Sequence, residues 1–173
     1  HTFGGHDGVN GNRDNDVIDL GGDNDLGFGG QGDDTIGGGS GDDFLSGDRG
    51  QDQLSGGEGS DTFLLRTGDG SDRLTDFTPG EDKLAIVEIL DASIRDSLSS
   101  DVPVDDLITH FPIGEDRFGT VRPLAWTDLT FKSDGTETAI HFNGELLVTL
   151  NSVTRLSAND FVDIRANLWT EAW

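Results

Sequence analysis

The sequence predicts a mainly β fold: a coil of short strands over the first half, closed by a small α+β region that contains an antiparallel meander. Three observations carry this. Asp7, Asp16, Asp25, Asp34, Asp43, Asp52 and Asp61 stand nine residues apart, and a fixed period dictates architecture before local propensity does. Two residues after each comes Val9, Ile18, Gly27, Ile36, Leu45, Leu54 or Phe63, one mostly apolar position per unit. Of 26 glycines, 22 fall within residues 1–85, so the two halves of the chain obey different physics.

A nonapeptide holds one turn and one strand of about three residues, with the middle residue facing inward. Such a unit buries nothing alone, so neighbours must stack and share a core. The clearest units read Gly-Gly-Gln-Gly-Asp-Asp-Thr-Ile-Gly over residues 29–37, Gly-Gly-Ser-Gly-Asp-Asp-Phe-Leu-Ser over 38–46 and Gly-Gly-Glu-Gly-Ser-Asp-Thr-Phe-Leu over 56–64. If two units complete one coil, one edge carries Asp7, Asp25, Asp43 and Asp61, and the other Asp16, Asp34, Asp52 and Asp72. Glycine permits positive φ and close backbone approach, so loop carbonyls can turn toward one point while the aspartate completes the set. A hard cation such as calcium, which takes about six to eight oxygens, suits that loop.

The pattern G-G-x-G-x-D-x-U-x resembles the RTX, or haemolysin-type calcium-binding, family over residues 2–85. The resemblance implies a right-handed parallel β-roll with Ca2+ ions between successive turns along each edge, about six of them on the pairing above. It implies that the repeat aspartates and loop carbonyls are the ligands. Carried onto this chain, the metal set is Asp7, Asp16, Asp25, Asp34, Asp43, Asp52, Asp61, Asp72 and Asp82, with Asp14, Asp23, Asp48, Gly30, Gly32, Gly39, Gly41, Gly50, Gly57 and Gly59 from the loops.

Several positions depart from the repeat, and the first three units are degenerate. Gly27 replaces the inward apolar residue, Asp14 and Asp23 replace a loop glycine, and Arg13 and Arg49 bring positive charge into the loops. After Phe63 the period slips: Gly68, Gly70 and Asp72 repeat the motif two residues late, and Gly80 and Asp82 one residue later again. Residues 75–80, Thr-Asp-Phe-Thr-Pro-Gly, look like the segment that ends many RTX rolls. The positions flanking each inward residue face outward, which gives one sheet an apolar exterior of Leu26, Phe28, Phe44 and Leu64 and leaves the other polar. Such a patch wants a cover. The economical reading packs residues 86–173 on it; the alternative is a carbohydrate or other surface partner.

Residues 86–173 read as the closing region. Ile86, Ile89, Leu90, Ile94 and Leu98 fall near helical spacing and predict a helix over 85–98, with a second over 103–111. Segments 128–132, 138–142 and 145–150 alternate, with Asp134-Gly135 and Asn143-Gly144 between them, and predict a three-stranded meander. Residues 157–160, Ser-Ala-Asn-Asp, read as a helix start with Ser157 as the N-cap.

The chain has 34 acidic and 11 basic residues, a net charge of −23, no cysteine and 32% hydrophobic residues. That balance disfavours nucleic acid and anionic membranes, excludes disulfides, and without counter-ions lies near the disordered regime. No apolar run approaches a membrane span. The chain begins at His1 without a signal peptide or N-terminal cap, which predicts a fragment of a longer protein. The resemblance implies a Gram-negative protein exported by type I secretion, with an uncleaved signal expected in 151–173.

Catalytic patterns are missing. No H-E-x-x-H or G-x-S-x-G occurs, and His1, His6, His110 and His141 read as surface or structural residues. Of the paired acids, Asp33/Asp34 and Asp42/Asp43 fall in the cation loops, and Asp105/Asp106 open a predicted helix. The expected protein is therefore a noncatalytic, secreted, calcium-dependent folding module. Alternatives are an adhesive or carbohydrate-binding module using the apolar face and Trp126, Trp169 and Trp173, as in secreted alginate epimerases, or the noncatalytic part of a metalloprotease or lipase.

Overall fold

A computed structural model describes residues 4–89 and 121–162 of the 173-residue chain. The strands are β1 (Gly8–Asn10), β2 (Val17–Gly22), β3 (Leu26–Gln31), β4 (Thr35–Ser40), β5 (Phe44–Arg49), β6 (Gln53–Glu58), β7 (Thr62–Arg66), β8 (Asp72–Leu74), β9 (Lys83–Ile89), β10 (Val121–Pro123), β11 (Thr130–Ser133), β12 (Glu137–Phe142) and β13 (Glu145–Asn151). Odd-numbered β1 to β9 pair in parallel in one sheet, and β10 joins β9 antiparallel. Even-numbered β2 to β8 form the facing sheet, which β13, β12 and β11 extend. Register advances 18 residues per coil, as Leu26 opposite Phe44 and Ile36 opposite Leu54 show. The fold is a parallel β-roll, and two nonapeptides make one coil.

Strands within the roll are longer than the repeat suggested. β3 spans six residues rather than three, because the ladder runs on through the double glycine of the next unit. Gly11 N–H donates to Phe28 O and Gln31 N–H to Asn12 O, both at 2.9 Å, so the glycine backbone stays paired. Only the short Gly-x-Asp stretch is left to turn the chain.

Ile36, Leu45, Leu54, Phe63, Leu74 and Leu84 project between the sheets and are almost wholly buried. Each contributes roughly 1.5–3 kcal/mol of burial. Gly27 is not a hole in that row. A Cβ there would meet Leu45 Cδ2 at 2.9 Å, Leu20 Cδ1 at 3.0 Å and Ile36 Cγ2 at 3.2 Å. Leu20, standing where other units carry glycine, fills the space that a large residue 27 would have taken.

The closing region continues the sheets. β13 pairs in parallel with β8, and Ile140, Val148 and Leu150 extend the same core. The meander lies within a residue or two of its expected bounds, turning at Asn143 and Gly144 with φ of 49° and 89°. The helix expected over 85–98 is overturned where it can be seen. Residues 85–89 belong to β9, with Leu84 and Ile86 in the core and Ala85 and Val87 on the outer face, an alternation of period two. Pairing with β7 decided between two patterns that a short apolar run leaves ambiguous. The rest of that helix, the one over 103–111, and residues 163–173 lie outside the described residues. Instead of a helix after Ser157 there is one 3-10 turn, Ala158–Asp160. Asp160 accepts from Ser157 N–H at 2.6 Å and, 80 residues back, from Gly80 N–H at 2.7 Å.

On the outer face, Leu26 and Phe28 are buried beside Phe44, with the two rings 6.0 Å apart. Leu64, Ala85 and Val87 form a second group, on which Val162 packs. Val162 N–H also donates to Leu84 O at 3.0 Å, so the closing region reaches this face.

Two glycines separate backbone necessity from mere composition. Gly39 has φ 113° and its Cβ would collide with Gly21 O, whereas a Cβ on Gly37 meets nothing within 4 Å. Gly39→Ala is expected to lose about 1–3 kcal/mol or more in chemical unfolding. Gly37→Ala should be neutral or gain up to about 1 kcal/mol. Equal losses would contradict the coil geometry.

Candidate metal centre

Each repeat aspartate is held across the gap between coils. The Asp16, Asp25, Asp34 and Asp43 N–H groups donate to Oδ1 of Asp34, Asp43, Asp52 and Asp61, at 2.7, 2.8, 2.7 and 2.9 Å. Asp7 begins the series on Asp25 at 2.7 Å. Asp72 and Asp82 end it, accepting from Asp52 and Asp61 at 3.2 and 3.1 Å despite the slipped period. With Oδ1 fixed, the second oxygen has one direction left. Oδ2 of Asp16, Asp25, Asp34, Asp43, Asp52 and Asp61 is buried and accepts no hydrogen bond. Six buried acceptors left bare would be costly, which makes them the natural contacts of a cation.

Beside five of the six Oδ2 atoms, all but that of Asp25, the space is kept by a glycine that sequence reasoning passed over, five residues before the aspartate. A Cβ on Gly38 would collide with Asp43 Oδ2 and lie 2.6 Å from Gly56 O, on the next coil. Gly29 stands the same way to Asp34 Oδ2 and Gly47 O, and Gly11 to Asp16 Oδ2 and Gly29 O. The signal was present, since Gly11, Gly29, Gly38, Gly47 and Gly56 all occupy one column of the alignment. The expected glycines line the same edges. A Cβ on Gly30, Gly32, Gly39, Gly41, Gly50, Gly57 or Gly59 would run into a loop carbonyl of the preceding coil. Among the described residues no three acidic or histidine side chains converge on one point. The gaps bring carboxylate oxygens beside backbone carbonyls, all hard donors, a set that fits calcium.

The departing loop residues keep the glycine conformation. Asp14, Asp23 and Asp48 take φ of 69°, 73° and 65°, which aspartate tolerates better than most side chains. Their carboxylates do different work from the repeat aspartates. Asp23 Oδ2 accepts from Gly5 N–H at 2.8 Å, and Asp14 is exposed. Buried Asp48 is ion-paired with Arg66 at 2.5 Å and accepts from Ser46 Oγ at 2.7 Å. Asp82 is fully engaged, because its Oδ2 accepts from Thr78 N–H at 2.7 Å.

Burial raises the carboxyl pKa along both edges. Asp43 is pushed up to about 6 and Asp52 and Asp61 to about 7, first by desolvation and then by neighbouring carboxylates, against the opposing pull of the backbone N–H. Asp25, Asp34, Asp72 and Asp82 move the same way for the same leading cause.

Residues 1–36, 28–63 and 37–74 match the family model of the RTX calcium-binding nonapeptide repeat. Among solved structures the chain is similar to the R3 subunit of the AlgE6 mannuronan C5-epimerase of Azotobacter vinelandii. The two share 28% identity over 94% of this chain and 84% of that one, with a TM-score of 0.51. The R2 subunit of the same epimerase is 25% identical over 90% of this chain and 91% of that one, with a TM-score of 0.49. No curated protein matches the chain. Residues 1–74 are thus RTX repeats, the chain contains an RTX repeat module, and its repeats bind Ca2+. That module is a calcium-binding β-roll without a catalytic role. No helix among the described residues is long and apolar enough to cross a membrane.

The raised carboxyls fix the sign of a pH effect in chelator. Folded-state values above the ordinary 3.8 mean that the roll binds protons more tightly than the unfolded chain. Their contribution favours folding at low pH and is lost as pH rises from near 4 through about 7. Metal-free chain is expected to show more β structure by circular dichroism at pH 5 than at pH 8. A metal-free signal independent of pH would contradict this.

Proposed function

We propose that the module is a calcium-operated folding unit of an exported bacterial protein. The observation that supports this most is the set of six buried, unpartnered Oδ2 atoms, three along each edge. In this reading Asp16, Asp25, Asp34, Asp43, Asp52 and Asp61 supply the carboxylate ligand, and loop carbonyls supply the rest. One ion per bare Oδ2 gives about six. Asp7, Asp72 and Asp82 terminate the edges, while Asp14, Asp23 and Asp48 shape the loops. Residues 2–85 supply the sites, and 86–173 close the roll.

Calcium, when bound, supplies the positive charge that offsets the carboxylates, about half of the −23 for six ions. Without it, the chain's own residues oppose the fold, because parallel stacking brings each repeat aspartate beside the next. An acidic chain with few apolar residues then stays extended, a state suited to passage through a type I secretion channel. Outside the cell, extracellular calcium-binding modules typically work at roughly 10⁻⁴–10⁻³ M, and binding free energy becomes folding free energy.

A second reading adds a ligand. The neighbour is part of a mannuronan C5-epimerase, and Trp126 stacks on Phe131 at 4.2 Å with Phe161 edge-on at 5.3 Å. All three residues are only partly buried, which leaves ring surface that a sugar ring would rest against. Binding to mannuronan oligomers with and without calcium, and loss of it in Trp126→Ala, tests that reading.

For the folding unit the test is a calcium titration followed by far-UV circular dichroism, with magnesium as control. A cooperative gain of β structure near millimolar calcium, absent with magnesium, is expected. Asp43→Ala, which deletes one buried ligand, should raise the midpoint about tenfold or more. Gly38→Ala, which puts a methyl where Asp43 Oδ2 points, should act in the same direction. A chain folded in chelator and indifferent to calcium would overturn the proposal.

A further inference from the structure

The repeat pattern leaves its fifth position, just before the aspartate, open to any residue. In this chain it is occupied by Asn15, Asn24, Asp33 and Asp42, followed by Gln51 and Ser60. The structure gives the first four one task. Asn15 Oδ1 accepts from Asp33 N–H at 3.0 Å, and Asp33 Oδ1 from Gln51 N–H at 2.9 Å. On the other edge Asn24 Oδ1 accepts from Asp42 N–H at 2.9 Å, and Asp42 Oδ1 from Ser60 N–H at 2.8 Å. Each bond spans 18 residues and joins one coil to the next.

This ladder runs opposite to that of the repeat aspartates. Between one pair of coils, Asp25 N–H donates forward to Asp43 Oδ1, while Asp42 N–H donates back to Asn24 Oδ1. Two adjacent amides of each loop are thereby taken by side chains from opposite neighbours. The aspartate bond sets where Oδ2 points, and the fifth-position bond holds the facing loop, whose carbonyls complete the gap. Asn and Asp share a carbonyl-type oxygen at the same reach, which accounts for their interchange along the ladder.

We propose that Asn15, Asn24, Asp33 and Asp42 are positioning residues for the calcium sites, acting through the side-chain oxygen and not through charge. The proposal rests on the reading of the Oδ2 edges as those sites. It separates cleanly from an electrostatic role, because two of the four residues are neutral.

The test uses the whole chain in two isosteric pairs: Asn24→Asp against Asn24→Ala, and Asp42→Asn against Asp42→Ala. Calcium titrations give midpoint and steepness, and amide hydrogen exchange at saturating calcium reports the Asp42 and Ser60 N–H groups. Each alanine variant is expected to raise the midpoint about two- to tenfold, flatten the transition and deprotect the amide of the next coil. The isosteric variants should stay within about twofold of wild type and keep that protection. An alanine variant that never folds, beside an isosteric partner that titrates normally, supports the same conclusion. Asp42→Asn behaving like Asp42→Ala, or alanine variants that titrate like wild type, would overturn the ladder alone. A wild-type chain that ignores calcium would overturn the site reading, and this proposal with it.

Discussion

Stacking like charges is the constraint on which this structure turns. Parallel pairing at an 18-residue advance puts each repeat aspartate directly above its counterpart, about one strand spacing or ~4.8 Å away. At an effective dielectric constant near 20 two such carboxylates repel by on the order of 3 kcal/mol, and each edge holds a column of them. In Asp25, Asp34, Asp43, Asp52 and Asp61 one oxygen is satisfied by a neighbouring amide, which leaves the other buried and bare. The same geometry that builds the hydrophobic core therefore creates an electrostatic debt along both edges. Only protons or cations can discharge it, which is why the raised carboxyl pKa values and the calcium sites are two faces of one fact.

Glycine in this fold is less a source of flexibility than an absence of volume. The first glycine of each pair leaves room beside Oδ2, and the later ones let a loop lie against the carbonyls of the coil before it. Aspartate keeps the left-handed conformation of the glycine it replaces at Asp14, Asp23 and Asp48, and at none of the glycines that face an Oδ2 does it take their place. Leu20 and Gly27 show the same economy in the core: the large residue has moved to the neighbouring position and the filled volume is preserved. Units that look degenerate in sequence are thus compensated in structure.

The roll is closed by strands that add to its edges. β13 takes the place beside β8 that a further coil would have taken, and Asp160 ties the closing turn to Gly80. Asp76 does related work inside the last coil, its carboxylate accepting from the Gly56 and Gly57 N–H groups and from Ser55 Oγ. These contacts carry the core without a break into the meander.

The nine-residue spacing by itself determined a stack of short strands with one buried apolar position per unit, and the 18-residue pairing then sorted the aspartates onto two edges. Alternation and the Asn143-Gly144 pair likewise determined the meander. What needed the tertiary structure was everything that depends on a neighbour 18 residues away. Strand length depended on pairing through the glycines, and the strand at residues 85–89 on β7, since a short apolar run fits either period. The partition of duties among Asp43, Asp48 and Asp82, identical residues in similar loops, was decided by what faced each carboxylate: Arg66 at Asp48, a second amide at Asp82, and nothing on Oδ2 at Asp43. Sequence fixes which residues recur; only the stacked coils decide which oxygen is left without a partner, because that partner lies on another turn.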